Sequence, residues 1–190
     1  MVFRIFSLRC VLPLLMAVGG SPLSASGASG ASEMGQEAAA GCDAQVVPQR
    51  VLETLNALRA QTRTCGGAMR AAGGPLRWDA RLASSARRHA ADLSQGDELR
   101  HLSPQGTGLR ERLRRNGYAA QRAGENLAAG QESLEEVLQT WATSAKHCDN
   151  LMQVEFTEVG MACVLGPGRF QRYWVMNLGR VAEEAWQPPR

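Results

Sequence analysis

Residues 141–164 read WATSAKHCDNLMQVEFTEVGMACV, and two periodicities inside this stretch decide the fold. Counted with the residues just upstream, Leu134, Val137, Leu138, Trp141, Ala145 and Cys148 recur at helical spacing and form the buried stripe of one amphipathic helix. Ser133 and Glu136 have the S-x-x-E spacing of a capping box at its start. His147 stands about 100° round from Cys148, beside the stripe and near the helix end. After a turn the period changes to two. Val159, Met161 and Cys163 face one way along a strand, and Gly160, Ala162 and Val164 the other. Apolar residues on both faces predict a sheet covered on two sides. The stretch therefore predicts a sandwich with a histidine at its rim.

Working outward, a second strand over about 170–178 follows Gly166-Pro167-Gly168, a hairpin signal. Upstream, Val47, Val51, Leu55 and Leu58 mark a first helix, with Glu53, Asn56 and Arg59 on its opposite face and Cys65-Gly66-Gly67 ending it. Asp79 reads as the N-cap of a second helix, whose buried stripe is Leu82, Ala86, Ala90 and Leu93 and which Gly96 stops. A loop with His101 and Ser103-Pro104 follows, then a short basic helix ending at Asn116-Gly117. The segment 123–129 is a candidate strand. Arg110, Arg112, Arg114 and Arg115 read as a solvated helix face, because Glu111 interrupts them and no aromatic residues interleave.

The chain has 190 residues, 44% of them hydrophobic, which is enough for one well-filled core. Arg4 and Arg9 flank an apolar run over 10–18, followed by small residues to Ala28. This is the pattern of a secretory signal, cleaved after Ala25 or Ala28, and too short for an ordinary membrane span. The expected organisation is a signal peptide (1–25), a flexible leader (26–41), one domain (42–180) and a tail (181–190). Removing the two signal arginines lowers the net charge from +3 to +1, so nothing in the balance calls for nucleic acid. No membrane span is expected after cleavage, and the mature chain is read as a monomer.

Cys42, Cys65, Cys148 and Cys163 remain, an even number suited to an oxidising compartment. Pairing Cys42 with Cys65 and Cys148 with Cys163 is expected, because each pair brackets one local unit. None of the four has the C-x-x-C spacing of a metal cluster.

Seven motifs then occur in order: LNALR (55–59), PLRWD (75–79), HLSPQG (101–106), R-x-x-x-x-G-Y (112–118), GENLA (124–128), W-x-x-S-x-x-H-x-x-N-L-M (141–152) and FTEVGMA (156–162). In that order they resemble the CAP superfamily, the cysteine-rich secretory, antigen 5 and pathogenesis-related 1 proteins, in the bacterial secreted branch with an SCP domain. The resemblance spans about residues 46–179. It implies an α+β fold, a three-layer α-β-α sandwich with a central antiparallel sheet. It also implies a cleft to which His101, Glu125 and His147 contribute. The family's second glutamate, one turn into the tryptophan helix, is Ser144 here. The Pro-Gly that often precedes the second histidine is Ala145-Lys146.

Without the resemblance, His89 on the second helix reads as an ordinary polar surface group, and His101 or His147 alone would read the same way. Two imidazoles and a carboxylate together suit a divalent metal, zinc or a similar cation, with open positions. They equally suit general acid–base work. Glu125 alternatively caps a helix or pairs with Arg122. Ser103, two residues from His101, offers a hydroxyl beside a base and an acid, the parts of a serine hydrolase. Ser-Pro is also an ordinary turn start, and no G-x-S-x-G elbow accompanies it. Asn126 and Asn150 are expected to satisfy backbone groups near the cleft.

Two functions follow as expectations. The favoured one is a secreted or periplasmic, non-catalytic binding module whose cleft holds a divalent metal and a lipid, glycan or protein partner. The alternative is an extracytoplasmic metal- or serine-dependent hydrolase using His101, Ser103, Glu125 and His147.

Overall fold

The structure, a computed structural model, describes residues 41–182. The signal peptide, all but the last residue of the leader, and the tail beyond Ala182 lie outside the described residues. Among the described residues, no helix is long and apolar enough to cross a membrane.

A short 3-10 turn, Cys42–Gln45, precedes helix α1, Pro48–Arg59, which starts with proline in its first turn, where the missing N–H is not needed. Strands β1, Arg63–Cys65, and β2, Ala68–Arg70, form a small separate hairpin around Gly66-Gly67. The two-residue strand β3, Arg77–Trp78, leads to α2, Ala80–Gly96. As expected, Asp79 caps α2, accepting from the backbone N–H of Arg81 at 2.8 Å and of Leu82 at 3.2 Å. Then come α3, Leu109–Arg115, β4, Ala120–Ala129, α4, Leu134–Thr143, α5, Ala145–Met152, β5, Glu158–Leu165, and β6, Arg172–Val181.

The main sheet has the order β3-β5-β6-β4. The three long strands are antiparallel, and the short edge strand β3 runs parallel to β5. Val159, Met161 and Cys163 pack in one core with Val51 and Leu55 of α1, Trp141 of α4 and Leu151 of α5. Ala162 faces the opposite core, with Ala86, Ala90 and Leu93 of α2. Between them Gly160 lets α2 lie directly on the strand: a Cβ there would come within 2.1 Å of the Ala83 nitrogen. This is the α+β, three-layer α-β-α sandwich.

Four expectations need correction. The tryptophan helix is two helices, because Ser144 adopts an extended conformation (φ −85°, ψ 126°). Ala145 is consequently exposed, and Ala142 takes its place in the core. The capping box is half-formed: Ser133 accepts from the Glu136 N–H, but the Glu136 carboxylate accepts from Glu132 instead of Ser133. Arg59 is not on an exposed face but fully buried, where its guanidinium donates to the carbonyls of Gly74, Leu151, Gln153 and Phe156.

The disulfides are the fourth correction: Cys42–Cys163 and Cys65–Cys148, not Cys42–Cys65 and Cys148–Cys163. The 12 residues of α1 carry the chain about 18 Å, from Cys42 beside β5 to Cys65 beside α5. Likewise Cys163 stands about 16 Å along β5 from its start, while Cys148 faces the β1–β2 hairpin. The bridges thus pin peripheral segments to the sandwich: the 3-10 turn to β5, and the hairpin to α5.

Candidate functional site

The four segments that meet at the candidate site come from different layers. His101 stands in the loop after α2, Arg112 on α3, Glu125 in β4 and His147 in the first turn of α5. His101, Glu125 and His147 line one cleft of about 580 Å³, with Leu102, Gly124 and Asn150 among its other walls. At Gly124 a Cβ would come 2.8 Å from the Phe156 ring, so only glycine lets β4 sit against that ring at the cleft wall. The sequence trio is therefore brought together.

Glu125 is almost wholly buried and both of its oxygens are engaged. His101 Nδ1–H donates to Oε1 at 2.8 Å, and Arg112 donates to Oε2 at 2.5 Å. Arg112 also donates to the carbonyls of His101, at 2.7 Å, and Thr107, at 2.9 Å, which fixes the loop that carries the histidine. A carboxylate in this position selects the Nδ1–H tautomer and leaves His101 Nε2 free toward the cleft. Glu125 occupies the orienting role here, and neither caps a helix nor pairs with Arg122, which bonds to Glu155.

The electrostatics of the two cleft histidines differ in sign. The hydrogen bond that His101 donates to Glu125 raises the His101 pKa above its ordinary value, against partial burial. Burial lowers that of His147, and the neighbouring His101 charge lowers it further. Among the described residues the His147 ring makes no hydrogen bond, and its buried Nδ1 has no partner. Its backbone carbonyl, however, accepts from Asn126 at 3.2 Å. Asn150 donates to the Glu125 carbonyl and to the Asn126 side chain, at 3.1 and 2.9 Å. The two asparagines thus hold the backbone of β4 and α5 together, the role expected of them.

Ser103 is placed differently. Its Oγ accepts from the Thr107 N–H at 3.1 Å, closing a turn, and the side chain lines a second cavity instead of the cleft. Among the described residues no hydrogen bond joins it to a histidine.

Two site residues escaped the sequence reading. Arg112 is 7% exposed, not part of a solvated face. His89 is fully buried, not a surface group: its Nε2–H donates to the Arg100 carbonyl at 2.9 Å and lies 3.9 Å from Glu125 Oε2. Burial pushes its pKa down. The R-x-x-x-x-G-Y motif was the signal available for Arg112; for His89 it was its phase, one residue before Ala90 on the buried stripe.

Among the described residues no three His, Cys, Asp or Glu side chains converge as a ready-made metal cage. Among the described residues, no hydrogen bond engages His101 Nε2 or the ring of His147, and Glu125 stands behind His101.

The sequence profile of the cysteine-rich secretory protein (CAP) family matches residues 52–178. YkwD of Bacillus subtilis (strain 168) is 33% identical over 90 residues, 47% of this chain. The chain spans only 35% of that relative's length. An extracellular protein containing an SCP domain from Bacillus anthracis str. Ames is 28% identical with a TM-score of 0.57, over 70% of this chain and 39% of that one. An outer surface protein of Borrelia burgdorferi shares the fold at 19% identity and a TM-score of 0.57, over 74% and 93% of the two chains. With its profile matched from the first helix to the last strand and its sandwich shared, this chain belongs to the cysteine-rich secretory protein (CAP) family.

Proposed function

We propose that this chain is an extracytoplasmic binding module whose cleft takes a divalent cation of the zinc type between His101 and His147, with water completing the coordination shell. The observation that carries the reading is the engagement of Glu125. One oxygen holds His101 and the other accepts from Arg112, so the carboxylate orients a ligand and is not available as a free base. Ser103 has its Oγ in a backbone turn and, among the described residues, no hydrogen bond to a histidine, which favours binding over serine hydrolysis. Two disulfides, the sequence of the N-terminus and the extracellular character of the Bacillus anthracis relative all support a place outside the cytoplasm. The bound cation would act as a Lewis acid toward a ligand oxygen. The cleft's partner is read as a lipid, glycan or protein group.

Calorimetric titration of chelator-treated protein with Zn²⁺ tests this. Wild type should bind one ion with modest affinity, and His101→Ala and His147→Ala should each abolish binding. Binding should weaken at pH 5.5 relative to 7.5, since metal takes neutral imidazole and His101 holds its proton above the ordinary histidine range. Undiminished binding by both variants would defeat the proposal.

A further inference from the structure

On the other side of Arg112 from the cleft lies a second cavity of about 390 Å³ between α2, the 103–107 loop and α3. Its lining includes Ser85, Arg88, Asp92, Ser103, Arg112 and Arg115. Two of these carry buried polar atoms with no hydrogen-bond partner: Ser85 Oγ, in a residue 1% exposed, and Arg112 Nε, in a residue 7% exposed. Leaving such atoms unpaired is costly, and native proteins rarely do so without a ligand or water to satisfy them. The remaining guanidiniums have capacity to spare. Arg115 uses its Nε on Glu111, and Arg88 makes no hydrogen bond or ion pair among the described residues. Three arginines thus border the cavity against one carboxylate, Asp92.

We infer that this cavity is a binding site for a tetrahedral oxyanion, a phosphate or sulfate group, free or as a monoester. Its donors are Ser85, Arg88, Arg112 and Arg115, distributed over two helices. Donors set around a volume in this way suit a tetrahedral group with three or four oxygens better than a flat carboxylate, and guanidinium pairs with such oxygens strongly. The site is separate from the cation cleft and does not depend on it. Arg112 joins the two: one nitrogen holds Glu125, while Nε, in a residue that lines the cavity, has no partner among the described residues.

The test is calorimetric titration of the full chain with inorganic phosphate, inorganic sulfate, glycerol 3-phosphate and, as the flat control, acetate, at constant ionic strength. Saturable binding at one site is expected for the tetrahedral ions, with acetate weaker. Binding of glycerol 3-phosphate as tightly as phosphate supports a monoester head-group as the source; binding of the inorganic ions alone supports the free ion. Arg88 is exposed, so Arg88→Gln folds normally and should weaken phosphate by about tenfold, the loss of one charge-assisted contact. Ser85→Ala should weaken it by a smaller factor, while His147→Ala should leave it unchanged. No saturation by any of the tetrahedral ions would mean that water alone satisfies Ser85 and Arg112, and would overturn the proposal. So would phosphate affinity equal to wild type in both Arg88→Gln and Arg115→Gln.

Discussion

On one wall of the cleft, His101 is held by a buried carboxylate that is itself held by a buried guanidinium. On the other, His147 stands in the first turn of a short helix with no hydrogen bond to its ring among the described residues. The first wall is fixed by side-chain electrostatics, the second by backbone: the break at Ser144, the Asn126 bond to the His147 carbonyl and the Cys65–Cys148 bridge below. The difference matters for the cation site proposed above. One histidine is set in tautomer and direction by a carboxylate, and the other has no such partner for its ring among the described residues. It also means that damage to the two walls should look different.

The largest effect is expected on the His101 wall. Arg112→Met leaves Glu125 a buried carboxylate without its guanidinium and releases the loop carbonyls. Breaking a buried pair from one side costs about 3–5 kcal/mol. Urea unfolding should show that loss for Arg112→Met and under about 1 kcal/mol for His147→Ala, whose ring makes no hydrogen bond. Equal losses would erase the distinction between the walls.

The bridge beneath α5 comes next. Replacing Cys65 and Cys148 together by serine frees a loop with a sequence separation of 83 and should cost about 2–4 kcal/mol, measured by thermal or urea unfolding. Peptide mapping without reduction should recover the Cys42–Cys163 and Cys65–Cys148 fragments.

A smaller effect is expected from the histidines in metal-free protein. By NMR titration His101 should titrate above the ordinary value of about 6.5, and His147 and His89 below it. The linkage signs are opposite. The raised pKa of His101 contributes stability that is full below about 6.5 and is lost as pH rises through its folded value. The lowered values of His147 and His89 mean that stability falls as pH drops below about 6.5 toward their folded values. Coincident titration of His101 and His147 would show that Glu125 does not distinguish the walls.

How far the sequence carries this account depends on which residues are asked. The period of two in 159–164 and the 3.6 period of α2 were legible, because apolar side chains report burial directly. Asp79 and the Gly-Pro-Gly turn were legible from local chemistry. Arg59, Arg112 and His89 were not, because periodicity counts a charged or polar residue as exposed. Each is buried against partners outside its own helix: Arg59 against carbonyls up to 97 positions on, Arg112 against Glu125 in β4, His89 against the Arg100 carbonyl. The break at Ser144 carries no glycine or proline to announce it. The cysteine pairing failed for the same reason as the arginines, since proximity along the chain is a poor guide once a sheet brings residue 42 beside residue 163. The trio His101, Glu125 and His147 was found through ordered motifs, and its internal order, with Glu125 behind His101, needed coordinates.

The most direct measurement is a crystal structure of the protein with zinc, located by its anomalous signal. The account predicts one ion in the cleft, bound to Nε2 of both His101 and His147 at about 2.0–2.1 Å, with water in the remaining positions and Glu125 still bonded to His101 Nδ1. An ion held by only one of the two histidines, or bound elsewhere with the cleft unchanged, would contradict it.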